Sequence, residues 1–264
     1  MSDILQLERY GRVLRLVLNR PEKRNALSGE LCREVVDEVN RASRDPRVGA
    51  LVLAANGPSF SAGMDLHELG QMDTESLTGI HEQLFTMGAR LARPLVAAVD
   101  GPALGGGLGL VVNAHVVVAS ERARFGLTEI RLGLWPFLIY RAVAHALGER
   151  RAAELSLTGR IFEVHEAKAI ALVQEIDEDP NAKAMEIGEQ LAASSPTAIR
   201  SGLSFIQEAR GKDWEMVGLI AQRARHELFQ SADFQEGIRA FREKRQPKWP
   251  SFGNKNEYPG DKTP

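Results

Sequence analysis

One stretch near the middle of the chain combines a strand, a turn and a glycine-rich segment in a way that can bind an oxygen anion. The apolar run Leu95–Val99 meets the turn Asp100-Gly101-Pro102, and the glycines at 105–107 then open an apolar helical run. Glycines at a helix start let another group come close to the backbone. The first N–H groups of a helix have no internal acceptor and carry partial positive charge. The pattern fits either an oxyanion site or close helix–sheet packing without a ligand.

Two other stretches could contribute chemistry next to this one. Residues 59–66, Ser-Phe-Ser-Ala-Gly-Met-Asp-Leu, directly follow a short apolar strand, which is where α/β folds place ligands. Residues 19–27, Asn-Arg-Pro-Glu-Lys-Arg-Asn-Ala-Leu, form a polar, basic loop. A carboxylate, Glu129, lies in the predicted loop 125–133 among apolar residues that can raise its pKa by disfavouring its charge.

Composition limits the classes of function that these residues can serve. The 264 residues are 44% hydrophobic with a net charge of −2, which gives no electrostatic case for nucleic acid. The single cysteine, Cys32, precludes an internal disulfide and is typical of a reducing compartment. No secretory signal, membrane-length apolar run, metal-ligand spacing or dinucleotide-binding motif is present in the sequence. These features predict a cytoplasmic protein with no metal and no membrane partner.

The hydrophobic pattern predicts an α/β domain followed by helices. Alternating apolar residues predict a hairpin at the N-terminus, Ser28 is suited to cap a helix, and Leu95–Val99 and Val116–Ala119 are predicted as buried strands. Residues 70–78 are predicted as a loop, with a helix near residues 84–91. From about residue 181 the periodicity is helical. The change near residue 195, from mixed strands and helices to helices alone, predicts a core over 1–194 and a helical region with a tail over 195–264.

Four segments in order resemble the crotonase (enoyl-CoA hydratase/isomerase) superfamily. They are NRPEKRNAL at 19–27, SFSAGMDL at 59–66, DGPALGGGLGL at 100–110 with FGLTEIRLG at 125–133, and FQEGIRAFREKRQPK at 234–248. The resemblance implies a spiral of repeated ββα units with a C-terminal helical region that makes trimers or dimers of trimers. It also implies an acyl-CoA thioester as substrate, with coenzyme A entering as part of that substrate and no separate cofactor.

The same resemblance assigns roles to individual residues. It implies that the backbone N–H groups of Ala62 and Gly106 form an oxyanion hole for the thioester oxygen, where two fixed donors stabilise an enolate. The remaining positions implied to bind the substrate or its CoA moiety are Lys23, Arg24, Ala26, Gly63, Met64, Asp65, Leu66, Trp135, Phe241 and Lys244. Cations among them suit the phosphates of CoA.

The reaction depends on which acid–base groups are present. Hydratases of the family resemble one another in having two glutamates; here Glu129 matches one, whereas the other position is Gly109. A single carboxylate matches the enoyl-CoA isomerases, in which one base moves a proton between C2 and C4. Bulky residues at 134–140 replace a glycine-rich turn and predict an altered acyl pocket.

Other reactions remain open at this level. One alternative is an enoyl-CoA hydratase whose water is held by something other than residue 109; His67, Glu68, His81 and Glu82 are the candidates for a second acid–base group. Another is a non-catalytic CoA-binding subunit, and an acyl-CoA hydrolase or decarboxylase would use the same enolate pocket.

Overall fold

A computed structural model describes residues 3–68 and 73–252 of the chain. Alternating or continuous apolar runs form its strands, which are β1 (Leu5–Tyr10), β2 (Val13–Leu18), β3 (Ala50–Ala55), β4 (Leu95–Val99), β5 (Pro102–Leu104), β6 (Val116–Ala119), β7 (Arg124–Gly126), β8 (Ile161–Glu163) and β9 (Glu175–Ile176). The helices are α1 (Gly29–Arg44), α2 (Thr74–Phe85), α3 (Gly106–Val111), α4 (Phe137–Leu147), α5 (Glu149–Thr158), α6 (Val164–Ala169), α7 (Pro180–Ala192), α8 (Pro196–Ala209), α9 (Trp214–Phe229) and α10 (Ala232–Arg242).

The main sheet has six strands in the order β1-β2-β3-β4-β6-β9. The N-terminal hairpin pairs antiparallel, with Leu5 opposite Leu18, and every other pairing in this sheet is parallel. Its central strands are buried on both faces, so β4 reads as an uninterrupted apolar run. The predicted hairpin and buried strands are therefore confirmed.

A second, smaller sheet lies beyond the ends of the main strands and has the order β5-β7-β8. The chain runs from β4 into β5 and then α3, and from β6 into β7 and then a 3₁₀ turn, Glu129–Leu132, before α4. This repetition of strand, strand and helix is the ββα spiral that the sequence resemblance implied. Loops that sequence alone predicts at residues 100–102 and 125–133 thus contain short strands, because β5 and β7 pair with each other.

Helices cover both faces of the main sheet. Ser28 Oγ accepts a hydrogen bond from the Leu31 N–H at 3.2 Å, so α1 begins at the predicted cap. Cys32 is fully buried on the inner face of α1, and burial raises the pKa of its thiol to about 12, as expected of a packing residue. On the other face, α7 packs against β3 and β4 with Ala184 and Ala192 buried.

Two predictions about helices need correction, and one about domains stays open. The helix before Pro94 begins at Thr74 rather than near residue 84, because Asp73 caps it by accepting the Ser76 N–H; of the predicted loop at 70–78, residues 70–72 lie outside the described ranges. The C-terminal helical run is also broken at Ser231, which caps α10. The boundary between residues 194 and 195 falls in the turn between α7 and α8 and stays a prediction.

Asn25 fixes the loop that precedes α1. It is completely buried with a left-handed φ of 53°, its Oδ1 accepts the Arg20 N–H at 2.7 Å, and its Nδ2 donates to the carbonyls of Asn56 and Ser59, each at 2.8 Å. Because these partners are inside the fold, removing the amide would leave them without hydrogen bonds.

We expect Asn25→Ala to lower the free energy of unfolding by roughly 3 kcal/mol, since buried polar groups lose their partners and alanine disfavours a positive φ. Urea unfolding followed by circular dichroism measures the change. The matched control is Asn40→Ala on the exposed face of α1, which should shift the stability by no more than about 0.5 kcal/mol. Equal effects of the two variants would contradict the role given to Asn25.

Candidate active site

The loop that follows β3 is held by backbone hydrogen bonds on both sides. On one side, the Leu27 N–H donates to the Gly63 carbonyl at 2.8 Å, and the Asp65 N–H donates to the Leu27 carbonyl at 3.1 Å. On the other side, the Leu104 N–H donates to the Ser61 carbonyl at 2.9 Å. The loop therefore extends the small sheet beside β5, and its backbone is fixed before any ligand binds.

Two glycines allow this loop to approach the start of α3. Gly63 has a φ of 92°, and a Cβ on it would lie 2.8 Å from the Leu104 carbonyl oxygen and 3.2 Å from the Gly106 nitrogen. Gly105, the residue before α3, has a φ of 53°. L-residues disfavour both conformations, and at residue 63 a side chain would also push the loop away from Gly106.

The available backbone donors differ from those that the sequence resemblance implied. The Ala62 N–H donates to the Arg24 carbonyl at 2.9 Å, so it already has an acceptor and the oxyanion role predicted for it is wrong, although Ala62 does line the cavity. Within the described residues, the N–H groups of Met64 and Gly106 have no acceptor. The sequence could not show this, because the Arg24 carbonyl comes from a distant part of the chain.

Glu129 lies over the same backbone. A Cβ on Gly105 would be 2.9 Å from Glu129 Oε1, and Glu129 Oε2 is buried without a hydrogen-bond partner among the described residues. Burial raises the pKa of this carboxyl group. The nearby Arg124 pairs with Glu163 at 3.0 Å instead.

A cavity of about 420 Å³ opens beside Glu129 and Gly106. Its walls are largely apolar, which accounts for the raised pKa of the carboxyl group. Leu127, which precedes Glu129 by two residues, is not part of this wall and is fully buried in the core. The apolar side chains that line the cavity are Met64, Leu66, Leu77, Phe85, Leu132, Leu134, Trp135, Pro136, Phe137, Leu138 and Ile139.

Phe85 fills the space above Gly109. A Cβ on Gly109 would lie 2.8 Å from Phe85 Cδ1 and 3.2 Å from Ile139 Cγ1. The position that would carry a second carboxylate therefore has neither the side chain nor the room for one. Phe85 was not identified from the sequence, where it reads as an ordinary core residue of a helix.

His81 also lines the cavity. It lies one helical turn before Phe85 on α2, its ring is 5.6 Å from the Phe85 ring between centroids, and only 6% of its surface is exposed. The other candidates for a second acid–base group are outside the cavity lining: Glu68 accepts the Gly29 N–H at 2.8 Å, and Glu82 pairs with Arg141. His67 does not line the cavity either.

The predicted CoA-binding residues on the loop 19–27 and on the loop after β3 differ in how accessible they are. Lys23 and Arg24 are exposed and Ala26 is half-buried, so a ligand can reach all three. Asp65 is different: it is buried and forms an ion pair with Arg20 at 3.0 Å. Its carboxylate ties the two loops together and does not line the cavity, and a contact of Asp65 with the CoA moiety stays a prediction.

Leu66 lines the cavity as predicted, but the two C-terminal candidates do not. Phe241 is 83% exposed on α10, and Lys244 follows the end of that helix. Within this chain, α10 packs against α8 and α9 rather than against the elements of the site. A contribution of these two residues to CoA binding stays a prediction.

Comparison with known proteins agrees with this geometry. The family model described as enoyl-CoA hydratase/isomerase matches residues 8–252. The enoyl-CoA hydratase EchA19 of Mycobacterium tuberculosis is 34% identical over 254 residues, covering 91% of this chain and 94% of that protein. The 2,3-dehydroadipyl-CoA hydratase of Escherichia coli is 33% identical over 252 residues, covering 94% and 98%.

Solved structures show the same fold. The crystal structure of an enoyl-CoA hydratase from Mycobacterium smegmatis superimposes with a TM-score of 0.88 at 29% identity, covering 94% of this chain and 99% of that one. The chain belongs to the enoyl-CoA hydratase/isomerase family and has the crotonase fold. The resemblance drawn from the four sequence segments is confirmed.

Neither a metal nor a membrane enters the description of this site. Over residues 3–68 and 73–252, no group of histidine, cysteine and acidic side chains is arranged to hold a metal ion. No helix in those ranges is long and apolar enough to cross a membrane.

We expect Gly109→Ala to lower the free energy of unfolding by roughly 1–3 kcal/mol, because the new methyl group must displace the packed Phe85 ring. Thermal and urea unfolding measure the effect. The control is Gly202→Ala in α8, where no atom lies within 4 Å of the added Cβ and alanine should raise helix stability by up to about 1 kcal/mol. A stabilised Gly109→Ala variant would show that the ring does not occupy this space.

Proposed function

We propose that the protein acts on an acyl-CoA thioester and moves a proton next to the thioester carbonyl. The observation that carries the proposal is the Glu129 carboxyl group: its Oε2 is buried and has no hydrogen-bond partner among the described residues, and its Oε1 lies close to the backbone at Gly105. Among the residues that the structure describes, the N–H groups of Met64 and Gly106 have no acceptor, and they flank the close approach of the two loops. Together they supply a base and two donors around one point, which is what enolate formation requires.

The proton transfer follows from these three groups. The Glu129 carboxylate removes a proton from the carbon next to the thioester, and the electron pair moves onto the carbonyl oxygen. The Met64 and Gly106 N–H groups stabilise the resulting oxyanion, and losing one such donor typically costs about 3–4 kcal/mol of barrier. The protonated Glu129 then returns its proton to the same face of the carbon chain.

A double-bond shift is the reaction that one carboxylate can complete alone. With a 3-enoyl thioester, Glu129 takes the proton from C2 and delivers it to C4, so that the product is the 2-enoyl thioester. No second carboxylate lines the described part of the cavity, and Phe85 closes the position at Gly109. These observations support an isomerase as the first candidate function.

Hydration of a 2-enoyl thioester is the second candidate. It is favoured by the names of the relatives in Mycobacterium tuberculosis and Escherichia coli, both of which are hydratases. In this reaction Glu129 would take a proton from water as the water oxygen adds to C3, the same oxyanion hole would hold the enolate, and the protonated Glu129 would return its proton to C2. A hydrolase, a decarboxylase or a silent CoA-binding subunit has no comparable support.

The loop at residues 19–27 carries exposed cations that can bind the CoA moiety, and it is hydrogen-bonded to the loop after β3. Lys23 and Arg24 are exposed, and the Arg24 carbonyl is bonded to Ala62, so this loop is anchored beside the cavity. Cations there can pair with CoA phosphates. We retain these residues as part of the proposed substrate site.

An oligomer is part of the same proposal. Trp214 and Phe241 are 87% and 83% exposed on α9 and α10, and Leu219 is 60% exposed. Large exposed apolar side chains on one helical region are typical of an interface. They support the homotrimer or dimer of trimers expected for this C-terminal region.

Replacement of Glu129 tests the proposed reaction. We expect Glu129→Gln to slow isomerisation of 3-enoyl-CoA, or exchange of the C2 protons of butyryl-CoA in D₂O, by about 10²–10⁴-fold, because the amide cannot take up the proton. Glu121→Gln, at an exposed carboxylate, is the control and should retain wild-type rates. Wild-type rates in Glu129→Gln would exclude Glu129 as the base.

The pH dependence provides an independent test. Burial raises the pKa of Glu129, and a base works only when deprotonated, so kcat/KM should fall as the pH drops through this raised pKa. The fall should begin at a higher pH than the pKa of about 4.3 of an ordinary glutamate allows. Residual activity of Glu129→Gln should lack this acid limb. An acid limb that persists in the variant would assign the titration to another group.

A further inference from the structure

Besides Glu129, His81 is the one ionisable side chain in the described lining of the cavity, and the proposed reaction leaves it unused. Its ring is 6% exposed, and it lines the same cavity as Glu129. Phe85 contacts the His81 ring and also packs against α3, where a Cβ on Gly106 would be 3.1 Å from Phe85 Cζ. The Phe85 side chain therefore lies between His81 and Gly106, whose N–H is one of the proposed oxyanion-hole donors.

The His81 Nε2 atom is buried without a hydrogen-bond partner among the described residues. A buried polar atom in this state usually costs free energy, and native proteins seldom retain one without a reason. The described lining of the cavity is mostly apolar, and none of its side chains is a hydrogen-bond partner of Nε2. The imidazole is available to a ligand.

The surroundings of His81 favour the neutral form of the imidazole. Burial lowers the pKa of His81, because it disfavours the charged ring. One nitrogen of a neutral imidazole donates a hydrogen bond and the other accepts one. An O–H group can serve as acceptor or donor, so it satisfies Nε2 in either tautomer.

We propose that His81 Nε2 binds an O–H group over the acyl chain of the substrate, either from a water molecule or from a hydroxyl group on the acyl chain. The proposal rests on the proposed function, because it assumes that an acyl thioester occupies the cavity. It makes His81 a determinant of substrate class: ligands whose acyl chain carries a hydroxyl group, or reactions that add water to it, gain from the histidine. Plain acyl chains do not.

Two variants separate a hydrogen-bonding role from a packing role. His81→Phe keeps an aromatic ring against Phe85 but removes both nitrogens, whereas His81→Gln keeps a donor and an acceptor. The matched controls are His165→Phe and His165→Gln, because His165 is exposed and outside the cavity lining. Circular dichroism and thermal unfolding verify that each variant is folded.

Three measurements on the full-length protein test the proposal. Calorimetry compares binding of 3-hydroxybutyryl-CoA and butyryl-CoA, the absorbance of the enoyl thioester follows hydration of crotonyl-CoA, and NMR follows C2-proton exchange of butyryl-CoA in D₂O. We expect His81→Phe to lose about tenfold in its preference for the hydroxylated ligand, or in kcat for hydration, beyond any change in proton exchange. His81→Gln should recover part of that loss, and the His165 variants should match the wild type.

The measurements distinguish the source of the O–H group and the origin of a failure. A loss in ligand preference identifies the acyl hydroxyl, and a loss confined to the kcat for hydration identifies water; both support the proposal. Equal losses for butyryl-CoA and 3-hydroxybutyryl-CoA, or no loss in any measurement, overturn it. Absence of Glu129-dependent proton exchange in the wild type would instead contradict the proposed function, independently of His81.

Discussion

The close approach of two backbone segments, the loop after β3 and the start of α3, is the constraint on which the site depends. Gly63 and Gly105 make it possible, because each adopts a positive φ and Gly63 has the Leu104 carbonyl where a side chain would be. The approach places the N–H groups of Met64 and Gly106 beside one cavity, and neither has an acceptor within residues 3–68 and 73–252. A backbone fixed in this way stabilises developing charge without having to rearrange.

The rest of the fold keeps that approach rigid. The main sheet delivers the loop after β3, and the small sheet holds it against β5. Buried polar contacts connect the basic loop 19–27 to the loop after β3. Arg20 forms an ion pair with Asp65 at 3.0 Å, and Ser61 Oγ donates a hydrogen bond to the Asn25 carbonyl at 2.8 Å. Asp65 thus serves the site by positioning the loop.

The side chains that line the cavity limit which reactions the site can support. Glu129 is a carboxyl group in apolar surroundings, and Phe85 occupies the space at Gly109. Proton transfer by one carboxylate is supported by this arrangement, while His81 adds a neutral polar group on the same wall. The site is therefore suited to enolate chemistry, and its polar contacts to the acyl chain are few.

The sequence by itself determined the family, the hairpin and buried strands, the start of α1, the presence of Glu129 and the absence of a side chain at Gly109. These features are local: they follow from residue type, hydrophobic period and motif spacing.

The sequence did not determine which loop N–H groups are free, because the acceptor of the Ala62 N–H is the carbonyl of Arg24, 38 residues away in the chain. Nor did it show the strands β5 and β7, each too short to be recognised without its partner. That Phe85 fills the space at Gly109 and that His81 lies buried in the cavity were decided by how α2 packs on α3 and α4. Contacts between distant segments have no local signature, so only the tertiary structure could assign them.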